Sequence, residues 1–296
     1  MKPAPFEYFV PDSLEAALDL KTKHGDEAKA LAGGQSLIPA MNFRVAQPSI
    51  LIDLNRIDEL RFIRQNRQNG ALRIGAMTVQ SAAENDPLVA EHVPLLHDAI
   101  PNIAHSQIRN RGTIGGSIAH ADPASELPVV CVALDARMRA RSGAGERWIG
   151  AKDFFTGLFS TALQPDELLV EIEFADMPPN TGYAFMEIAR RHGDYAMAGL
   201  AALLSLDAEG NCANARLVYL NVGDGPVDAI QAAASLTGKQ PTEAVFKEAG
   251  HIASQQEMSP FGNLHASASY QRHLSAVLTE RALAKAYERA RFSQVP

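Results

Sequence analysis

The chain has 296 residues, 46% of them hydrophobic and 21% charged, and its 34 acidic side chains against 27 Lys and Arg give a net charge of −7. This length can bury a sizeable core and predicts two domains, and the acidic balance without a basic run argues against nucleic acid as a partner. The sequence offers no signal-peptide core and no stretch long enough to cross a bilayer, so we expect a cytoplasmic protein.

The first part of the chain alternates predicted helices and strands. Asp12 is expected to cap a helix that ends at Gly25. The run AKALA from Ala28 predicts a strand, followed by a double glycine and a helix that begins near Ser36. Further strands are expected at residues 49–54 and 72–77, and Thr78 is expected to cap the next helix. This pattern is typical of an α/β unit.

The middle of the chain leads into a polar, glycine-rich segment. Residues 94–104 have helical spacing, and residues 127–134 predict a buried helix after the polar segment. Three strand-like pieces follow, at residues 137–142, 148–155 and 167–174. Polar loops of this kind bear function more often than packing.

A linker is predicted at Met177, where two prolines and an asparagine follow. We therefore expect a first domain at residues 1–177, a second at residues 178–290 and a frayed tail at residues 291–296. The second domain contains three strand patterns, YAFMEIARR, AGLAALLSLD and ARLVYLNVG, and then three helical patterns. This order of elements predicts an α+β domain.

Two double-glycine turns are the most informative feature of the sequence. AGGQS spans Ala32 to Ser36 and TIGGS spans Thr113 to Ser117, each between an apolar run and a helix-compatible segment. Such turns can present several backbone N–H groups to one phosphate, although a double glycine also serves as a purely structural turn. Neither turn fits the G-x-G-x-x-G fingerprint or the P-loop, which disfavours a standard Rossmann or nucleoside-triphosphate site.

Two acids follow the second turn. Asp122 and Glu126 are placed to bond ribose hydroxyls or a ring N–H of a nucleotide. Equally, Asp122 is suited to cap the turn before Pro123, and Glu126 to support the start of the next helix. Both interpretations stay open at this point.

Other catalytic patterns find little support. Cys131 and Cys212 are isolated in apolar sequence, so this chain offers no CxxC metal site or iron–sulfur cluster. His105 and His120 lack further ligands at metal-binding spacing. Ser106 and Ser117 have no partner base or G-x-S-x-G elbow, and the cluster from Arg190 to Tyr195 reads first as a solvated strand end. We therefore expect no catalytic and no metal-binding residues.

Three segments together resemble the FAD-binding medium subunits of the molybdenum hydroxylases: AGGQSLIP, IRNRGTIGGSIAHADPASELP and ARRHGDYA. The resemblance covers nearly the whole chain. It implies an α+β fold, with an FAD-binding domain of the vanillyl-alcohol oxidase (PCMH) type made of two small α/β subdomains. A second domain with a three-stranded antiparallel sheet and helices is implied to follow.

The resemblance also implies partners. A large subunit would hold molybdopterin and oxidise the substrate, and a small subunit would hold two [2Fe–2S] clusters. This chain would receive the electrons on FAD and pass them to an external acceptor, in an assembly expected to be a dimer of heterotrimers. The flavin supplies the redox chemistry, while the protein binds and orients it.

The same resemblance assigns FAD contacts residue by residue. Asp122 would bond the adenosine part, Glu126 would lie near the flavin or its ribityl chain, and Ile103, Leu169 and Tyr195 would lie at the ring. The pyrophosphate would be held from two sides by Leu31, Ala32, Gly33, Gly34, Gln35, Ser36 and Leu37, and by Thr113, Gly115, Gly116 and Ser117.

Some questions stay open at the level of sequence. Met186 stands where the xanthine dehydrogenase branch has a flavin-contacting lysine, so the choice among NAD, oxygen and quinone as acceptor cannot be copied from that branch. The substrate, an N-heteroaromatic, an aldehyde or carbon monoxide, would be chosen by another subunit. The alternatives to an electron-transfer subunit are a free-standing flavin oxidase with its own substrate pocket and a non-catalytic nucleotide-binding or assembly module.

Overall fold

A small parallel sheet begins the chain in the computed structural model, which describes residues 2–292. Its elements are β1 (Glu7–Phe9), α1 (Leu14–His24), β2 (Ala28–Leu31), α2 (Leu37–Asn42) and β3 (Ile50–Asp53). The strands lie in the order β1-β3-β2, and both outer strands run parallel to β3. Parallel neighbours need crossover connections, which the two helices help to supply.

Helix α1 begins one residue later than the sequence predicted. Ser13, with extended φ and ψ, is the N-cap, and its hydroxyl accepts a hydrogen bond from the Ala16 N–H at 3.3 Å. The choice of Asp12 as cap was therefore wrong, because the serine stands next to the first helical residue. The helix ends at Gly25, whose φ of 50° is costly for residues with a side chain.

A five-stranded antiparallel sheet with surrounding helices follows. Its elements are β4 (Ile63–Gln65), β5 (Leu72–Gly75), α3 (Gln80–Asn85), α4 (Pro87–His92), α5 (Pro94–Ala99), α6 (Ser106–Arg109), α7 (Ile114–His120), α8 (Glu126–Ala133), β6 (Arg137–Ser142), β7 (Gly145–Gly150), α9 (Ala151–Phe154), β8 (Phe155–Gly157), β9 (Ser160–Thr161) and β10 (Leu168–Phe174). The order is β4-β5-β10-β6-β7, with β8 and β9 forming a separate hairpin. Every residue of the central strand β10 is buried.

Thr78 does not cap α3. The N-cap is Val79, which forms no side-chain cap bond. The Thr78 hydroxyl instead accepts from the Phe62 N–H at 3.2 Å and donates to the Phe62 carbonyl at 3.0 Å. A contact with a residue distant in sequence thus replaces the predicted local one.

The last part of the chain forms a second sheet with helices. Its elements are β11 (Thr181–Ala189), β12 (Ala196–Leu206), β13 (Cys212–Leu220), β14 (Val227–Asp228), α10 (Ile230–Ala234), α11 (Glu243–Ile252) and α12 (Ala268–Phe292). The strands are antiparallel in the order β11-β12-β13-β14. Three long strands were predicted; the two-residue β14 was not, because so short a segment has no periodicity to read.

The second sheet is covered on both faces. Side chains on a strand alternate between faces: Ala184 and Leu200 pack with α12 and its neighbours, whereas Phe185 and Ala201 belong to the core of the preceding part of the chain. Helix α8, all of whose residues are buried, lies in the layer between the two. The two parts of the molecule therefore share one continuous hydrophobic core. Within residues 2–292, no helix has the length and apolar character needed to cross a membrane.

Candidate functional site

The two double-glycine turns lie in direct contact. A Cβ on Gly33 would lie 2.7 Å from the Arg111 carbonyl carbon and 2.8 Å from Cα of Gly112. A Cβ on Gly116 would lie 3.3 Å from Cβ of Ala32. Only residues without side chains permit so close an approach. The fold thus brings two segments that are far apart in sequence to one place, at the carboxyl end of β2.

The first turn presents free N–H groups. Within the described part of the chain, the amides of residues 33–37 donate no hydrogen bond. The neighbouring carbonyls are engaged: Gly33 O accepts from Gln35 Nε2 at 3.0 Å and Gly34 O from the Ile38 N–H at 3.1 Å. Gly34 has a φ of 74°, which turns the chain at this point. A run of unsatisfied amides with engaged carbonyls is an electropositive nest suited to an anion.

A network of hydrogen bonds among polar side chains supports this turn. Tyr8 donates its hydroxyl to Asp53, which also accepts from Asn55 N at 2.8 Å and Nδ2 at 2.6 Å. Asn55 Nδ2 in turn donates to the Ala32 carbonyl at 2.8 Å. Although burial opposes ionisation, the hydrogen bonds from Tyr8 and Asn55 lower the pKa of Asp53. These residues were not predicted from the sequence; the available signal was the polar pair Asp53 and Asn55 at the end of the buried strand SILID.

The second turn is organised differently. The Gly116 N–H donates to the Thr113 hydroxyl at 3.0 Å, the Gly115 N–H to the Ala76 carbonyl at 2.9 Å and the Ser117 N–H to the Thr113 carbonyl at 3.2 Å. Thr113 is therefore the N-cap of α7. A Cβ on Gly115 would lie 2.7 Å from Cα of Ala76, so this glycine is needed for packing. The turn offers a glycine surface and the Ser117 hydroxyl rather than free amides.

Asp122 and Glu126 differ in their surroundings. Asp122 Oδ1 accepts from the Ala124 N–H at 2.9 Å, which is the turn-capping arrangement, and its other oxygen has no recorded partner among residues 2–292. Glu126 is the first residue of α8 and is 8% exposed. Burial, with a further contribution from the charge of Asp122, raises the pKa of Glu126 to about 7.

The predicted apolar contacts lie in the core of the first domain. Ile103 is 8% exposed and Leu169 is 6% exposed, and both belong to the same cluster. The loop at Ile103 is held by Arg109, whose Nη1 donates to the carbonyls of Ile103 at 2.9 Å and Ala104 at 3.3 Å. Glu84 pairs with this guanidinium at 2.8 Å. The analysis of the sequence gave Arg109 no role, although it lies in the quoted segment.

Residues of the second domain also contact the segments on either side of the second glycine turn. Gly193, with a φ of 89°, lies so close to His105 that a Cβ would be 2.6 Å from its Nδ1. The Asn221 N–H donates to the Pro123 carbonyl at 2.7 Å. Tyr195 is 70% exposed, yet desolvation and the charges of Asp122 and Glu126 raise its pKa. The segment ARRHGDYA thus lies over the segment that contains the two acids.

Two neighbouring residues of β11 point in opposite directions. Met186 packs with the core of the second domain. Glu187 faces the first domain, since Phe185 two residues earlier belongs to the first domain's core. Glu187 Oε2 is buried without a hydrogen-bond partner among the described residues. Burial, followed by the charge of Glu126, raises the pKa of Glu187 to about 8. Sequence reasoning missed this residue because nothing local marks it.

The candidate metal and thiol residues have other environments. The His120 ring lies 5.2 Å from that of Phe159, and burial lowers the pKa of His120. Cys131 and Cys212 are both buried thiols, and burial raises the pKa of Cys212 to about 11. Across residues 2–292 no group of three or more His, Cys, Asp or Glu side chains is arranged to hold a metal ion.

Comparisons with known proteins match both parts of the chain. The family model "FAD binding domain in molybdopterin dehydrogenase" matches residues 4–175, and "CO dehydrogenase flavoprotein C-terminal domain" matches residues 183–286. The 6-hydroxypseudooxynicotine dehydrogenase complex subunit alpha of Paenarthrobacter nicotinovorans is 43% identical, covering 98% of this chain and 97% of that protein.

Solved structures agree with these matches. Carbon monoxide dehydrogenase from Hydrogenophaga pseudoflava superposes with a TM-score of 0.93 at 38% identity, over 98% of this chain and 99% of that one. Quinoline 2-oxidoreductase from Pseudomonas putida 86 gives a TM-score of 0.92 at 37% identity, over the same shares of the two chains. The similarity therefore extends over the full fold.

Proposed function

The chain belongs to the family of FAD-binding medium subunits of the molybdenum hydroxylases, and from that premise we propose that it is the FAD-containing electron-transfer subunit of such an enzyme. It receives electrons from the [2Fe–2S] clusters of a partner subunit after substrate is oxidised at a molybdopterin centre, and passes them to an external acceptor. The observation that supports this proposal most directly is the nest of free amides at residues 33–37, in contact with the second glycine turn.

The residues present suit FAD. A diphosphate needs several N–H donors, and the nest provides them without a basic side chain. The surface of Gly116 and the hydroxyl of Ser117 border the nest, while Asp122 and Glu126 offer acceptors for hydroxyls or a ring N–H. We propose that the cofactor contacts are Leu31, Ala32, Gly33, Gly34, Gln35, Ser36, Leu37, Ile103, Thr113, Gly115, Gly116, Ser117, Asp122, Glu126, Leu169 and Tyr195.

Each group of residues has a separate task in this proposal. The bound flavin supplies one- and two-electron redox chemistry. Ile103 and Leu169 form an apolar wall that excludes water from one side of the ring, and Tyr195 covers the site from the second domain. No side chain of this chain has to act as a nucleophile, which agrees with the absence of a nucleophile–base pair in the sequence.

The finer architecture is part of the same proposal. We assign the FAD-binding domain, of the PCMH type, to residues 1–177 and the second domain to residues 178–290, with residues 291–296 as a tail of which the structure describes only the first two. The partners are a large molybdopterin subunit and a small iron–sulfur subunit, in a cytoplasmic dimer of heterotrimers. Size-exclusion chromatography with light scattering on the co-expressed complex tests the stoichiometry.

The proposed function is tested by the flavin itself. The complex purified with its partners should contain one FAD per chain, and the visible flavin band should bleach when substrate is added. A gently extracted complex without FAD contradicts the proposal. Substrate turnover by the isolated chain would instead favour a free-standing oxidase, and bound flavin that substrate never reduces would favour a nucleotide-binding assembly module.

A further inference from the structure

Two carboxyl groups lie near each other at the junction of the domains. Glu126 begins α8 in the first domain, and Glu187 lies on the face of β11 that packs against that domain. They are near enough for the charge of Glu126 to disfavour ionisation of Glu187. Among residues 2–292, no Lys, Arg or His forms an ion pair with either of them. Buried acids without a cation are rare and call for an explanation.

Neither carboxyl has a partner side chain in the described part of the protein, and Glu126 is bonded only by its own backbone N–H. Glu187 Oε2 is buried and has no hydrogen-bond partner among the described residues. No other described residue hydrogen-bonds to the side chain of Glu126, and Glu126 is only 8% exposed. A buried polar atom without a hydrogen-bond partner destabilises the folded state. Such a cost persists in a fold mainly where a ligand removes it. The two acids adjoin Asp122 and Tyr195, which face the same space.

We propose that Glu187 is a cofactor-contacting residue supplied by the second domain, whose carboxyl group donates a hydrogen bond to an acceptor atom of the bound flavin. This inference rests on the proposed function. It adds Glu187 to the cofactor contacts, and it adds the proton that the carboxyl group of Glu187 donates. It also gives the second domain a direct part in binding the cofactor, beyond the cover provided by Tyr195.

The proton is explained by the surroundings. Two carboxylates that lie near each other in a poorly solvated junction cannot both ionise near neutrality, so the pair holds one proton. Within residues 2–292, the other titratable groups that interact with Glu126 are Asp122 and Tyr195, and neither is a cation that would favour ionisation of Glu187. Two ionisable groups from helices reach β11: Asp98 of α5 and Arg289 of α12. They meet at Tyr183, which is four residues before Glu187, or about 13 Å away along the strand.

A protonated carboxyl supplies what the rest of the site lacks. Asp122 and Glu126, when ionised, only accept hydrogen bonds, whereas a carboxylic acid has one O–H donor. The pyrimidine part of an isoalloxazine bears carbonyl oxygens and ring nitrogens that accept hydrogen bonds. Because Met186 packs in the other direction, Glu187 is the side chain of this strand segment that can reach such an atom.

The test is the pH dependence of FAD binding by the flavin-depleted full-length protein. In the unaltered protein the dissociation constant of FAD should be constant below about pH 7 and should rise about tenfold by pH 9, as Glu187 loses its proton. Glu187→Gln keeps an N–H donor without a charge and should bind FAD with little pH dependence. Glu187→Leu should weaken binding about tenfold at pH 7 and remove the pH dependence.

The controls separate a cofactor contact from a structural role. Met186→Leu changes the neighbouring residue that faces the other way and should leave binding unchanged. The visible absorption spectrum of the bound flavin should shift in Glu187→Leu and not in Met186→Leu. The inference is overturned if Glu187→Leu raises thermal stability but leaves the dissociation constant, its pH profile and the spectrum as in the unaltered protein. If the unaltered protein binds no FAD, the proposed function itself fails.

Discussion

Glycine has three different functions within this one site. Gly34 supplies a φ of 74° that turns the first loop. Gly115 makes room for Ala76, and Gly33 makes room for the Arg111–Gly112 backbone. The sequence shows two similar Gly-Gly pairs, but the tertiary contacts give their members different reasons to be glycine.

Gly33→Ala should separate the two turns. The added Cβ would lie 2.7 Å from the carbonyl carbon of Arg111, and backbone cannot give way as a flexible side chain can. We expect a loss of FAD retention of more than tenfold with a destabilisation of about 1–3 kcal/mol. FAD content after gel filtration and the thermal midpoint measure these effects. Gly225→Ala, where a Cβ meets nothing within 4 Å, is the matched control and should change neither.

Asn55→Ala should weaken the anion nest without changing any proposed contact residue. The substitution removes the hydrogen bonds from Asn55 Nδ2 to the Ala32 carbonyl and to Asp53. We expect FAD affinity to fall about tenfold and the free energy of unfolding to fall by about 1 kcal/mol. Titration of the flavin-depleted protein with FAD checks the first effect. Affinity equal to that of the unaltered protein would show that the turn keeps its form without this support.

At the scale of elements, helix α8 links sequence and function. All eight of its residues are buried, because it lies between helices of the first domain and the sheet of the second domain. Its buried character was predicted from the apolar run, but the sequence could not show that its first residue, Glu126, would lie near an acid from another domain. A buried helix start with an unpaired carboxyl makes stability depend on pH.

The stability of the flavin-free protein should fall as pH rises from about 5 to about 8. The pKa of Glu126 is about 7 and that of Glu187 about 8 in the fold, above the ordinary value of 4.5. The folded state therefore binds more protons than the unfolded state in this range, and stability decreases with pH. The loss between pH 5.5 and 8.5 is on the order of 5 kcal/mol. Urea unfolding at pH 5.5 and 8.5 measures it.

The matched variants for this prediction are Glu126→Gln and Glu187→Gln. Each removes one acid while keeping its volume, so the decline between the two pH values should shrink, and the double variant should be nearly flat. Glu146→Gln, on the exposed end of a surface ion pair, should keep the decline of the unaltered protein. A double variant that still loses stability by the full amount would assign the effect to other groups.

At the scale of the whole molecule, the two domains are joined by apolar packing and by ion pairs, which include Arg216 with Asp135 at 2.9 Å and a pair formed by Arg289. Arg289 of α12 donates to Asp98 of α5 at 2.6 Å and to the Tyr183 carbonyl at 2.9 Å, and its guanidinium lies 4.1 Å from the centre of the Tyr183 ring. These contacts connect the last helix to the first domain. They favour unfolding of both domains as one unit.

Arg289→Ala should weaken that connection. We expect a loss of about 1–2 kcal/mol, and a broader thermal transition as the domains begin to unfold separately, because a partly buried charge pair and its packing are removed. Differential scanning calorimetry measures both. Lys285→Ala, whose ammonium lies 4.0 Å from Asp98, should have a smaller effect. An unchanged, single sharp transition would show that the contacts of Arg289 are not needed to couple the domains.

Much of the architecture was predictable from local pattern. Strands β2, β3 and β5 lie within a few residues of their predicted positions, since periodicity and turn residues are local properties. The errors arose where distant contacts compete with local ones. Thr78 bonds to Phe62 instead of capping a helix, and β14 exists only because β13 offers it an edge.

The sequence by itself determined the elements, the two glycine turns and the family resemblance, because backbone preferences and apolar periodicity are encoded in neighbouring residues. The tertiary structure alone decided that the first turn presents a run of free amides, whereas Ala76 and Thr113 engage the amides of Gly115, Gly116 and Ser117 in the second turn. It alone placed Glu187 near Glu126. The physical reason is that burial and the choice of hydrogen-bond partner depend on residues brought together from distant parts of the chain.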